Sequence, residues 1–392
     1  MKKVMIVGAS AWQVPMIKKA KELGFMVAVV DYNPEAVGIQ FADEYYNAST
    51  IDPEGVCEAA RKFCADGITT VATDMPMRSI AYTCEHLGLL GISEDTAVLA
   101  TDKEMMIRAF AENSVPHPWF YVAHNQSMDE IRKHISFPCI CKPIDNSASR
   151  GVVIVHDDSE LEAAVRYSSE NGRSGAVIIE ELLEGSEISV EAFAVSGKIN
   201  VLAITDKLTT GSPHFVEIGH NQPSRFFGEM KEKIEQATIG AMKAVGIENG
   251  PAHVEMMITQ RGPVLIELGA RLGGDFITTD LVPLSTGIDM LGATIQLACG
   301  MPVDLTPKKP KASAIRYMKT EHGVIRGLEV KEEAMKIPGV VRVSMLKDNG
   351  EIAGPITNSL DRVGYAIGQG DTVEEAVAAC ESVLKFVNVI ID

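Results

Sequence analysis

Residues 1–93 constrain the fold most, because uninterrupted apolar runs alternate there with helical stretches. Residues 4–7 are apolar throughout, Gly8-Ala9-Ser10 turns the chain, and residues 14–23 carry a helical pattern closed by Gly24. A second apolar run over 27–30 ends at Asp31 and leads into Asn33-Pro34. A helix over 53–64 and a strand over 68–72 continue the series. A strand that is apolar at every position buries both faces. That requires a parallel sheet covered by helices on each side. Residues 1–93 are therefore expected to form an α/β domain.

The rest of the 392-residue chain is too long for one core and divides further. A connecting helix is expected within 94–116, with Thr101-Asp102-Lys103-Glu104 arranged as a capping box on Thr101. Residues 117–183 read as a small α+β unit and residues 184–305 as a strand-rich unit with helices near 229–245 and 286–299. Lys308-Lys309-Pro310-Lys311 marks a boundary, and 306–392 read as a β-rich module closed by a helix over 373–386.

Bulk properties exclude several functions. A net charge of −17 and a pI near 5.0 leave no basic excess for nucleic acid or an anionic membrane. No apolar stretch approaches the ~20 residues that span a bilayer. The seven cysteines are odd in number and form no C-x-x-C pair, as expected of thiols in a reducing compartment. A cytoplasmic protein is expected, with a homodimer as the default assembly.

The strongest chemical signal is Glu255 and Glu267, on two runs separated by Thr259-Gln260-Arg261-Gly262-Pro263. A five-residue hairpin loop centred on Arg261 places the two acids directly opposite each other. Like charges at that spacing repel and invite a divalent cation. A loop one residue shorter would put them on opposite faces. Arg271 follows, with Gly273-Gly274, and reads either as a clamp on a transferring phosphoryl group or as a structural ion pair.

Two further segments carry weaker signals. Lys142 ends an apolar run and leads into Asn146-Ser147-Ala148-Ser149-Arg150-Gly151. Such a loop can wrap phosphate oxygens with amides and hydroxyls, or be an ordinary exposed turn. Glu180-Glu181-Leu182-Leu183, followed by Glu187, reads as a hinge whose backbone could meet an adenine edge, or as a solvated acidic linker. His220 lies between Gly219 and Pro223, as on a loop, and His253 shares a strand face with Glu255, either lining a site or filling a core. Arg78, after the run over 68–72, reads as a surface arginine rather than a substrate anchor. The turn Gly8-Ala9-Ser10-Ala11-Trp12-Gln13 lacks G-x-G-x-x-G, which weighs against a nicotinamide dehydrogenase.

Taken together and in order, these segments resemble the ATP-grasp carboxylate–amine ligases, most of all the L-amino acid ligase branch. The resemblance implies an ATP-grasp fold with an N-terminal parallel-sheet α/β domain, a small α+β lid and a strand-rich C-terminal domain. It implies ATP held by Lys103, Lys142, the loop with Ser147, Ser149 and Gly151, the hinge Glu180, Glu181, Leu182 and Leu183, and Glu187. It also implies magnesium, with manganese as the alternative ion, on Glu255 and Glu267. Arg271 and His220 would serve the transferred group. The substrates would be a small carboxylate, of amino-acid type, and an amine. Many relatives carry Asn two residues after the second acid, where this chain has Gly269. A bicarbonate-using carboxylase and a non-catalytic nucleotide-binding protein are the rival readings.

Overall fold

The computed structural model describes residues 1–146, 150–211 and 214–392. The serines expected in the phosphate loop, Ser147 and Ser149, lie outside the described residues. The N-terminal part is a four-stranded parallel sheet in the order Glu44–Asn47, Met26–Asp31, Lys3–Val7, Gly67–Thr69. Alternation within Lys3–Val7 explains the apolar run. Met5 and Val7 pack with Val56 and Phe63, while Val4 and Ile6 pack with Met16, Ile17 and Leu297. Gly67 lets this sheet approach the helix Met290–Ala298 closely, because a Cβ there would stand 2.4 Å from the Ala298 carbonyl oxygen.

The helix Lys103–Glu112 is capped by Asp102, whose carboxylate accepts the Met105 amide at 3.1 Å. This differs from the expected Thr101 cap. The Thr101 hydroxyl donates to the Ala97 carbonyl of the preceding helix at 2.7 Å and is not available to the new one.

A second four-stranded sheet is antiparallel, in the order Phe120–Ala123, Val177–Glu181, Cys139–Pro143, Val153–Val155. The helix Asp158–Glu170 covers it through Leu161 and Ala164, packed on the buried thiols of Cys139 and Cys141.

The largest sheet has eight strands, ordered Gly262–Gly269, Gly250–Thr259, Ser186–Val195, Lys198–Thr209, Glu217–Gln222, Ala312–Tyr317, Gly364–Gly370, Val340–Met345. Strands on either side of residue 306 thus share one sheet, since Glu217–Gln222 pairs with Ala312–Tyr317. The helix expected near 286–299 is present as Met290–Ala298 and starts later than expected. A π-helical stretch Ile277–Leu281 and a short helix Val282–Thr286 end at Gly287, whose φ of 75° stops helical continuation before Met290–Ala298. Among the described residues no single helix is long and apolar enough to cross a membrane.

Candidate active site

A cavity of about 650 Å³ lies where the two antiparallel sheets and the carboxyl end of the parallel sheet meet. Its walls include Lys103, Lys142, Gly151, Glu180, Glu181, Leu182, Leu183, Glu187, His220, Glu255, Glu267 and Arg271. Every described residue singled out from the sequence for nucleotide, metal or phosphoryl chemistry therefore faces one space.

Glu255 does stand opposite Glu267, though by a different route from the one expected. Thr259 pairs with Gly262, which leaves only Gln260-Arg261 as the turn. Counted back from that turn, Glu255 would face Ile266. A bulge between Glu255 and Met256 leaves Ile266 unpaired and restores the Glu255–Glu267 pair. The repulsion of the two acids is met by separate cations. Lys103 Nζ lies 2.5 Å from Glu267 Oε2, and Lys207 Nζ lies 3.1 Å from Glu255 Oε2.

Lys207 was not singled out from the sequence, although alternation along Lys198–Thr209 puts it on one face with Thr205 and Thr209. Its side chain is 3% exposed and also meets Glu187 at 2.5 Å and Glu217 at 3.3 Å. Burial works against the ammonium, but Glu255, Glu187 and Glu217 together raise its pKa well above the ordinary value. Burial raises the Glu187 carboxyl pKa against the pull of Lys207.

His253 extends this network. Its Nδ1 meets Glu191 Oε1 at 2.5 Å and its Nε2 meets Glu255 Oε1 at 3.2 Å. A Cβ on Gly273 would stand 2.6 Å from that Nδ1, so glycine is needed for the strand and the following loop to close over the pair. In the connected set, the carboxylates of Glu187, Glu191, Glu217, Glu255 and Asp275 face the cations of Lys207, Arg362 and protonated His253.

The His253 pKa is held at about 9, because Glu191 and Glu255 outweigh the burial that lowers it from 6.5. A folded value above the unfolded one means that this stabilisation is complete below pH 6.5 and is lost as the pH rises through about 9. The metal-free protein is expected to lose melting temperature across that window. His253→Asn should flatten the decline. An unchanged slope in the variant would assign the effect to other groups.

The remaining cations are also paired. Lys142 Nζ lies 2.6 Å from Glu180 Oε2, both side chains under 9% exposed. Arg271 donates Nε and Nη2 to the two oxygens of Asp74 at 2.9 and 2.8 Å. Arg271 thus makes the structural ion pair that was one of its two readings, while its side chain still lines the cavity. Asp74 explains Gly269 as well. Its Oδ1 stands 2.8 Å from where a residue-269 Cβ would be, so the carboxylate fills the space of a side chain there. Arg78 is exposed and donates to Thr101 Oγ1 at 2.8 Å, in keeping with its reading as a surface arginine.

His220 requires a correction. It lies within the strand Glu217–Gln222, not on a loop, and is 1% exposed. Gly219 suggested a turn, but its missing side chain serves close packing instead. A Cβ there would stand 2.7 Å from the Ile315 carbonyl oxygen of the neighbouring strand. His220 Nε2 lies 3.6 Å from Asp275 Oδ2.

Residues 135–280 match the model of the ATP-grasp domain. With the cleft described above, this identifies an ATP-grasp domain in the chain. Residues 316–392 match the model of the L-amino acid ligase C-terminal domain 2. Its fold is that of an L-amino acid ligase from Bacillus licheniformis, with a TM-score of 0.87 at 23% identity, over 100% of this chain and 99% of that one. The alanine–anticapsin ligase of Bacillus subtilis is 28% identical over 335 residues, 77% of this chain and 69% of that protein. An uncharacterized protein, y4rH of Sinorhizobium fredii, is 25% identical over 313 residues, 78% of this chain. The matched region spans 64% of y4rH, less than two thirds of its length.

Proposed function

We propose that this protein uses Mg-ATP to phosphorylate a small carboxylate, of amino-acid type, and joins the acyl phosphate to an amine, releasing ADP and phosphate. The observation that carries the reading is the convergence of Lys103, Lys142, Lys207 and Arg271 on a register-paired Glu255 and Glu267 in one cavity. The first three side chains are ammonium groups suited to phosphate oxygens, and Arg271 offers a planar fork suited to a phosphoryl or carboxylate group.

In this reading the 180–183 segment meets the adenine and Glu187 accepts from the ribose. Lys103 and Lys142 meet the phosphates, exchanging their carboxylate partners for phosphate oxygens. Gly151, on the cleft wall, stands beside them. Glu255 and Glu267 would hold magnesium. Among the described residues no group of three or more His, Cys, Asp or Glu side chains is arranged to hold a metal. Two acids plus phosphate oxygens suit magnesium, which binds through few carboxylates. Bound there, the ion would offset phosphate charge during transfer. A carboxylate oxygen of the substrate forms the new bond to the γ-phosphorus as the bond to ADP breaks. Arg271 neutralises the oxygens in flight, with His220 at the substrate. The amine nitrogen then bonds to the acyl carbon, and phosphate leaves.

The test is the product. Enzyme, Mg-ATP and pairs of L-amino acids are expected to yield ADP and phosphate, and hydroxylamine should trap a hydroxamate. AMP as the main nucleotide product would overturn the mechanism even if ligation occurred.

A further inference from the structure

Part of the cleft wall is built by residues far apart in sequence. Thr357, Asn358 and Ser359 line it together with Glu217, His220 and Asp275. Arg362 stands behind this wall and is 2% exposed. Its guanidinium donates Nη1 to Asp275 Oδ1 at 2.9 Å and Nη2 to Asp275 Oδ2 at 2.9 Å. It also donates Nη2 to Glu217 Oε2 at 3.1 Å and Nε to the Glu217 carbonyl oxygen at 3.1 Å. The group lies 4.0 Å over the Tyr317 ring. With four of its five N–H donors engaged and the side chain 2% exposed, Arg362 acts through the two acids.

Both acids depend on it. Glu217 is fixed between Arg362 on one oxygen and Lys207, at 3.3 Å, on the other. Asp275 has a φ of 50° and Phe276 a φ of 62°, left-handed backbone that non-glycine residues hold only where their surroundings fix it. Arg362 supplies that restraint on the side chain, and the Tyr317 hydroxyl meets the Asp275 carbonyl oxygen at 3.5 Å. The buried ring of His220 belongs to the same wall, and neither of its nitrogens has a hydrogen-bond partner among the described residues. Nε2 faces Asp275 Oδ2 at 3.6 Å, so it is the buried Nδ1, on a ring that lines the cavity, that points to a bound polar group completing its hydrogen bonding.

We infer that Arg362 is a positioning residue for the amino-acid-class substrate, holding Glu217 and Asp275 so that they and His220 present one polar surface to it. The C-terminal segment, through Arg362 and residues 357–359, thereby takes part in choosing the substrate. The inference rests on the ligase reading above.

The test compares wild type with Arg362→Lys and Arg362→Met, using Mg-ATP, the proteinogenic L-amino acids singly and in pairs, and phosphate release. Melting curves with and without Mg-ATP run alongside. For the best wild-type pair, Arg362→Met is expected to raise the KM of an amino acid about tenfold or more, as loss of charged hydrogen bonds does. The KM for ATP should stay within about twofold. Arg362→Lys, which keeps the charge but not the fork, should recover part of the loss and change the order of accepted amino acids. If Arg362→Met does not fold, the Arg362→Lys shift in amino-acid KM decides alone. Unchanged amino-acid KM values, or an ATP KM that rises in step with them, would overturn the inference. A wild type that turns over Mg-ATP with none of the amino acids would overturn the ligase reading and this inference with it.

Discussion

Glu267→Gln is expected to lower kcat about a thousandfold, the equivalent of ~4 kcal/mol of transition-state stabilisation, while the protein stays folded. The carboxylate is proposed to hold magnesium, and glutamine keeps its volume but not its charge. Two effects on stability oppose each other. Loss of one acid relieves the repulsion between cross-strand partners Glu255 and Glu267. It also removes the counter-ion of Lys103, a side chain 18% exposed. Burial opposes the Lys103 charge and Glu267 supports it. Melting temperature and turnover should be measured together. Turnover close to wild type would remove Glu267 from the metal site, whereas a collapsed melting curve would assign it a role in folding instead.

Lys142→Met should have a double effect. Lys142 and Glu180 form a buried pair, and removing one partner of such a pair costs about 3–5 kcal/mol because the other charge is left without compensation. The same lysine is proposed to meet ATP phosphates, so the KM for ATP should rise about tenfold or more. The double variant Lys142→Met with Glu180→Gln separates the two. Stability should return, because neither charge is then buried alone, while ATP binding stays weak. If the double variant regained ATP affinity, Lys142 would be a structural partner of Glu180 and not a phosphate ligand. If neither variant lost stability, the pair would be more hydrated than its burial indicates.

Local pattern in the sequence determined the elements and the chemistry they carry. Period-2 alternation and uninterrupted apolar runs follow from which faces are covered, so the parallel N-terminal sheet was legible from residues 4–7 and 27–30 alone. Glu255, Glu267 and Lys142 were legible for a related reason. Each sits on or at the end of a strand, and a charged group there is conspicuous against apolar neighbours. The Glu255–Glu267 pairing was reached through a five-residue loop, yet it arises from a two-residue turn and a bulge at Ile266. A bulge depends on how a strand is bent by what packs on it, which the strand's own sequence does not specify.

Tertiary structure decided the rest, because partners distant in sequence have no local signature. Asp74 lies 197 positions from Arg271, and Arg362 lies 145 from Glu217 and 87 from Asp275. Lys207 reads as one more polar strand residue until three strands bring Glu187, Glu217 and Glu255 around it. His220 looked like a loop residue because glycine marks turns more often than close strand packing, and only the neighbouring strand Ala312–Tyr317 distinguishes the two. The sequence by itself determined which residue types line the cleft and roughly where along the chain they fall. The fold alone determined which charge neutralises which, since Coulomb energy depends on distances of a few ångströms that only packing sets.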